Sequence, residues 1–157
     1  MAVGPGTLPQ FFPVKGVKTG IASAGIKKPG RKDLVVFELV PGSRVAGIFT
    51  KNEFCAAPVD VCRRYLKTGE PRFLLINTGN ANAGTGERGM TDAVACCNAL
   101  AEIAGVDSES VLPFSTGVIG EPLPSGKIIN ALPELLAGTT EDRWAEAASG
   151  IMTTDTR

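Results

Sequence analysis

FLLINTGNANAGTGERGMTDAVACCNALAEIAG, residues 73–105, is the stretch whose reading decides the fold. It opens on an apolar run, Phe73-Leu74-Leu75-Ile76, with the length and composition of a buried strand. A loop of Gly, Asn, Thr and Ala follows. Such a loop reaches backbone conformations closed to bulkier residues and can bring backbone amides close to a ligand. From about Thr91 the spacing turns helical: Val94, Cys97, Leu100 or Ala101, and Ala104 share one face, and Gly105 is the expected stop. The unit reads as strand, small-residue loop, helix. A second strand exit, VLPFSTGVIG at 111–120, follows directly, and the chemistry is expected where the two loops meet.

Working upstream, LVVFELV at 34–40 is a strong strand, Pro41-Gly42-Ser43 a turn, and RVAGIF at 44–49 a second strand. The spacing predicts an antiparallel hairpin between those two runs. Val14 to Ile26 reads as a strand or bent strand pair, and Lys27 to Asp33 as a turn. Residues 1–13 carry three prolines and read as an extended lead-in anchored by Phe11 and Phe12. Residues 57–67 form a short amphipathic helix with Pro58 in its first turn and Gly69 at its end. Downstream, Ser125 is the expected N-cap of a helix carrying Ile128, Ile129 and Leu132, and Pro133 the opening of a turn. Thr140 to Ser149 reads as a helix with Trp144, Ala147 and Ala148 on its apolar side, and Ile151 to Thr154 as the start of a strand.

At 157 residues and 43 % apolar content the chain suits a single domain with a real core, and 19 Gly with 11 Pro predict many tight turns. Sixteen basic and sixteen acidic residues cancel, and no Lys/Arg run exceeds the pairs Lys27-Lys28 and Arg63-Arg64. That balance argues against a nucleic-acid partner or a basic membrane face. No run approaches the ~20 apolar residues of a membrane span, and the first residues lack the pattern of a signal peptide. The four cysteines form no CxxC pair and there is no histidine, so no zinc site is expected. Free structural thiols in a reducing, cytoplasmic compartment are the expectation. The lack of histidine also removes Ser-His and Cys-His nucleophile systems from within the chain, so acyl transfer would need another base or residues from another polypeptide.

Each motif has a plain alternative. Gly84-Thr-Gly-Glu-Arg-Gly89 matches GxGxxG before a helix, but Thr78 to Ala83 separate it from the strand end, which argues against dinucleotide binding. Asn80 and Asn82 can bond a small polar substrate or their own backbone, and a self-bonded surface loop is the expectation from chemistry alone. Thr116-Gly117 can set a hydroxyl beside a backbone amide, the pair that makes an oxyanion hole, or can be a simple turn. Thr153-Thr154-Asp155-Thr156 offers hydroxyls and a carboxylate, none with a visible base.

Taken together and in order, FLLINTGNANAGTGERG, VLPFSTGVIGEPLP and GIMTTDT resemble the ArgJ family of ornithine acetyltransferases and N-acetylglutamate synthases. GIASAGIKKPGRKDLVVFEL, AGIFTKNEFCAAPV and Cys62-Arg-Arg fit it too, so the likeness runs from about Val14 onward. It implies an α/β fold, the layered α-β-β-α sandwich of the self-processing ArgJ/DmpA-like type, with residues 1–157 as a single-domain part of the α-chain. It implies a precursor that cleaves itself before a Thr. That Thr becomes the N-terminal nucleophile of a β-chain, and its amine serves as base. By resemblance, Thr116 and Gly117 form the oxyanion hole and Thr153 contacts substrate. The implied reaction moves acetyl from N2-acetylornithine to glutamate in an α2β2 heterotetramer. No bound cofactor is implied; acetyl-CoA is a co-substrate in some members. The family's α-chain continues past TTDT to a substrate-binding Lys and the cleavage point, which this sequence lacks, so this polypeptide alone is expected to be inactive. A related self-processing amidase or peptidase is the alternative.

Overall fold

Four strands form one sheet in the order β1-β2-β3-β4: β1 (Val17–Ala22), β2 (Leu34–Leu39), β3 (Phe73–Asn80) and β4 (Val111–Val118). The computed structural model describes residues 10–154. The first three strands run antiparallel to their neighbours, and β3 and β4 are parallel. Four helices pack on this sheet: α1 (Ala57–Thr68), α2 (Gly86–Ala104), α3 (Ser125–Ala137) and α4 (Trp144–Ile151). Because β3 and β4 are parallel, the chain must cross over between them, and α2 is that crossover.

Period-two alternation sorts the strand residues onto two faces. Leu34 and Val36 join Val61 and Cys62 of α1, Leu100 of α2 and Leu132 of α3 in the main core. Val35 points the other way, to Ile21 and to Ala147 of α4, with Phe37 and Ile76 packed alongside. The aromatic rings of Phe37 and Trp144 stand 5.7 Å apart on that second face. Full burial of a side chain such as Leu100 or Leu132 contributes about 1.5–3 kcal/mol, so the three-helix face dominates the stability. The turn before β2 is set by Asp33, whose buried carboxylate accepts from the amides of Ala24 and Ile26, both at 2.7 Å.

The layered α/β expectation holds, and the elements at 34–39 and 57–68 stand where their patterns put them, as does the start of β4 at Val111. Strand β3 starts at Phe73 as expected but runs four residues past the apolar run, through Asn80, into the segment that reads as a loop. The hairpin does not pair as expected. Residues 44–49 form no strand; the partner of β2 is β1, with Val17 opposite Leu39 and Ala22 opposite Leu34. Since β3 holds the other edge of β2, a third neighbour has nowhere to bond. Helix α2 starts at Gly86, five residues before Thr91. Ser125 is the first residue of α3 rather than its cap, and its hydroxyl donates to Asp92 Oδ1 of α2 at 2.7 Å.

Helix α3 continues through Pro133. The burial of Ile128, Leu132 and Leu135 outweighs the ~3 kcal/mol cost of an interior proline. Helix α4 begins only at Trp144, because Thr140 is drawn to the free edge of β1, where its amide and carbonyl bond Thr19 at 3.0 and 2.7 Å. Ile151 closes α4 and no strand begins there. Phe11 and Phe12 are 43 % and 74 % exposed, so neither is buried against the described residues.

All four cysteines are free, and both Cys96 and Cys97 turn into the main core. Burial pushes the Cys62 thiol up to about 11 and Cys96 up to about 12, and raises Cys97 as well. Only Cys55 is partly exposed. Labelling of the native protein with a thiol reagent at pH 8 is expected to modify this chain once, at Cys55, and four times after unfolding; mass spectrometry reads both numbers. A raised folded-state pKa favours the neutral thiol in the fold. Stability is therefore complete below the ordinary value of 9.0 and falls as pH rises above it, by at most ~1.4 kcal/mol per pH unit per buried thiol.

Candidate functional site

The ends of β3 and β4 meet in register: Asn77 lies opposite Ser115, Thr78 opposite Thr116, and Gly79 opposite Gly117. There the register slips, and Asn80 faces both Thr116 and Val118. The slip rests on two positive-φ glycines, Gly79 at 95° and Gly117 at 138°. A Cβ on Gly117 would overlap the carbonyl carbon of Gly79 and stand 2.5 Å from the Asn80 nitrogen. The two backbones therefore approach more closely than any other residue allows. Beyond the slip, the Ala81 amide donates to Val118 at 2.9 Å and the Gly120 amide to Ala83 at 2.8 Å, so the two exit loops leave the sheet as one piece.

Asparagine side chains hold this junction from inside. Asn77, on the face of Leu75 and the helices, accepts from the Ser115 hydroxyl at 2.6 Å and donates to the Asn80 carbonyl at 2.9 Å. Asn80 donates from Nδ2 to the carbonyls of Glu121 and Pro122 at 3.2 and 3.1 Å, and its Oδ1 accepts from the Asn82 amide at 2.8 Å. Asn82 donates to the Gly89 carbonyl at 2.8 Å and accepts from the Thr85 hydroxyl at 2.8 Å. The self-bonded reading of Asn80 and Asn82 is correct, but the loop is no surface feature: the two residues are 1 % and 0 % exposed. The same bonds dispose of a dinucleotide site. Gly89 lies inside α2, and a Cβ there would sit 2.5 Å from Asn82 Oδ1, so the glycine admits the asparagine rather than a phosphate.

At the tip of β4, Thr116 is half-buried and Gly117 exposed. Thr116 lines a cavity of about 360 Å³ that wraps the free edge of β4, walled mainly by Ile48, Phe49, Val59 and Phe114. Arg63 of α1 shapes one wall: its guanidinium lies 5.5 Å over the Phe49 ring and donates to the Thr50 carbonyl. A half-buried hydroxyl thus lines a largely apolar space, and an exposed glycine follows it along the strand. Hydrogen bonds aimed at developing negative charge are strengthened in such surroundings.

Thr153 lies elsewhere. It is half-buried, follows α4, and is not among the residues lining that cavity. Its neighbour Met152 accepts from Arg31 through its carbonyl. Thr154 is exposed, and Asp155 and Thr156 lie outside the described residues. Among the described residues no three Cys, Asp or Glu side chains converge as a metal site requires, and no helix is long and apolar enough to cross a membrane. The sequence reading missed Asn77 and Ser115. The signal was a polar residue two places after Leu75, on the core-facing side of a strand.

Comparison with known proteins shows what the whole chain is similar to. The ArgJ family model matches residues 18–157. The arginine biosynthesis bifunctional proteins ArgJ of Pseudomonas syringae pv. tomato and Pseudomonas fluorescens are 59 % and 57 % identical over 99 % of this chain. The chain spans 38 % of the length of either. Among solved structures, ornithine acetyltransferase from Mycobacterium tuberculosis, crystallised with ornithine, superposes with a TM-score of 0.86 and 34 % identity. That match covers 92 % of this chain and 79 % of the other. The arginine biosynthesis bifunctional protein ArgJ of Bacillus halodurans gives 0.80 and 33 %, over 91 % and 75 %. A family match across most of the residues, joined to the same fold in a solved acetyltransferase, makes this chain a member of the ArgJ family.

Proposed function

We propose that this chain supplies the oxyanion-binding part of an acetyltransferase that moves acetyl from N2-acetylornithine to glutamate. The nucleophile, a Thr at the N-terminus of a companion β-chain cut from the same precursor, attacks the acetyl carbonyl, and its own amine takes the proton. The carbonyl oxygen becomes an oxyanion, to which the Thr116 hydroxyl and the Gly117 amide donate. Collapse expels ornithine with a proton on its amine and leaves acetyl on the Thr. The glutamate amine then attacks that ester through a second oxyanion in the same cradle, releasing N-acetylglutamate and restoring the hydroxyl. Thr153 contacts substrate in this scheme, the assembly is an α2β2 heterotetramer, and acetyl-CoA is an added donor. The compartment that suits these substrates is the cytoplasm.

The observation that carries the reading is the β4 tip. Thr116 borders a 360 Å³ cavity and is followed along the strand by an exposed, positive-φ Gly117, in a chain that shares 34 % identity with an acetyltransferase crystallised with ornithine. The test has two parts. Intact-mass analysis of the expressed full-length protein should find a second chain beginning with Thr, and that chain should gain an acetyl group on exposure to acetylornithine alone. In the same enzyme Thr116→Ala should slow turnover about a hundredfold, the worth of one oxyanion donor, with the melting temperature nearly unchanged. Near-normal turnover in that variant would remove Thr116 from the mechanism.

A further inference from the structure

One hydroxyl beside the candidate site has nothing to bond. Thr78 is 1 % exposed, and its Oγ1 makes no hydrogen bond. The other buried oxygen without one, Asp92 Oδ2, still lies 3.7 Å from Arg88 Nε and so has an ionic partner. Thr78 Oγ1 is therefore the one fully buried side-chain polar atom without either kind of partner among the described residues. A buried hydroxyl left unpaired lowers stability, and a valine of the same shape would avoid the loss. A buried polar group of this kind calls for a specific explanation, and a role in catalysis is one.

Its position is specific. Thr78 on β3 stands opposite Thr116 on β4 in a parallel register. Strand alternation puts Asn77 and Ser115 on the helix side, where they bond each other, so Thr78 and Thr116 both project from the opposite face. Adjacent strands lie about 4.8 Å apart, which places the two hydroxyls within one rotamer change of contact. Thr116 borders the cavity and Thr78 lies one strand deeper.

We infer that Thr78 is a positioning residue for acyl transfer: its hydroxyl donates to Thr116 Oγ1, freeing the Thr116 proton to point at the oxyanion. The donor that meets the substrate is then itself a hydrogen-bond acceptor. Such a chain polarises the outer bond and fixes its direction. This inference rests on the oxyanion role of Thr116.

The test uses the complete enzyme and three changes, Thr78→Val, Thr78→Ser and Thr116→Ala. Thr78→Val keeps the shape and removes only the hydroxyl. It should lower kcat for acetyl transfer about tenfold, leave KM for glutamate within twofold, and hold or raise the melting temperature. Thr78→Ser should restore most of the rate. In the Thr116→Ala background Thr78→Val should cost nothing further, because the hydroxyl it served is gone. A Thr78→Val enzyme with wild-type kcat overturns the inference. So does a tenfold loss that persists undiminished in the Thr116→Ala background, or a loss that tracks a fallen melting temperature and is shared by Thr78→Ser. Normal turnover in Thr116→Ala alone is a different failure: it sinks the oxyanion reading itself, whatever Thr78 does.

Discussion

Gly117→Ala should abolish acetyl transfer and destabilise the fold by about 3 kcal/mol or more. Two costs add. The backbone at 138° is a conformation that alanine avoids, worth roughly 1–3 kcal/mol of strain. The new methyl would also overlap backbone, not a side chain that could swing away: the Gly79 carbonyl carbon and, at 2.5 Å, the Asn80 nitrogen. Relief must come from prying β3 and β4 apart where the register already slips, and that moves the Gly117 amide and the Thr116 hydroxyl together. Losing one oxyanion donor costs on the order of a hundredfold, and displacing both should take turnover down by at least a thousandfold. Gly120→Ala is the control. Its φ is 80° but nothing lies within 4 Å of the added carbon, so it should cost only about 1–2 kcal/mol. Thermal melts and single-turnover acetylation of the two variants check this. If Gly117→Ala melts like Gly120→Ala, the close approach of the two strand ends is not a real constraint.

How far the sequence discloses this arrangement depends on the range of the contact involved. The apolar run at 73–76 and the alternation through 34–39 depend on neighbours within the same segment, and both become strands. Pro58 and Gly69 bracket α1 by local rules that tertiary packing left alone. Pairing is another matter. Residues 44–49 have a strand's composition, yet β2 already has β1 and β3 on its two edges, a fact stated nowhere within 34–49.

Helix α2 starts before Thr91 because Asn82 and Thr85 pack into the gap left by Gly89. A glycine that looks like a breaker is there to let a neighbour in. At the site, Thr116-Gly117 is legible as chemistry, since a hydroxyl beside a glycine amide is a local property. That Gly79 must also be a glycine, and that Asn77, Thr78 and Asn80 stand against that pair, are consequences of β3 and β4 being parallel neighbours 38 residues apart. No periodicity reports such a pairing.

Asn80 carries the largest share of that hidden pairing, and Asn80→Ala should destabilise the protein by about 3–5 kcal/mol. The side chain is buried and bonds three backbone groups: the carbonyls of Glu121 and Pro122 and the amide of Asn82. Truncation leaves the buried Asn82 amide unpaired, at ~1–3 kcal/mol, and frees the part-buried carbonyls of Glu121 and Pro122 at a smaller cost each, on top of the lost packing of a buried side chain. The segment 118–122 would then lose its side-chain tie to β3 and keep backbone bonds such as those at Ala81 and Gly120, and turnover should fall with the loss of a fixed Thr116-Gly117 tip.

Asn80→Asp separates lost bonding from lost volume. It keeps the acceptor that faces the Asn82 amide but turns an oxygen toward two carbonyl oxygens, where Nδ2 had donated. The new carboxylate is buried against acceptors, so its proton is held more tightly in the fold than in the unfolded chain. Stability is therefore retained at low pH and lost as pH rises. The variant should melt closer to wild type at pH 5 than at pH 8, whereas the deficit of Asn80→Ala should barely change between them. Denaturant melts at the two pH values decide it: an Asn80→Asp deficit independent of pH would mean that Asn80 fills space and does not clamp the two loops.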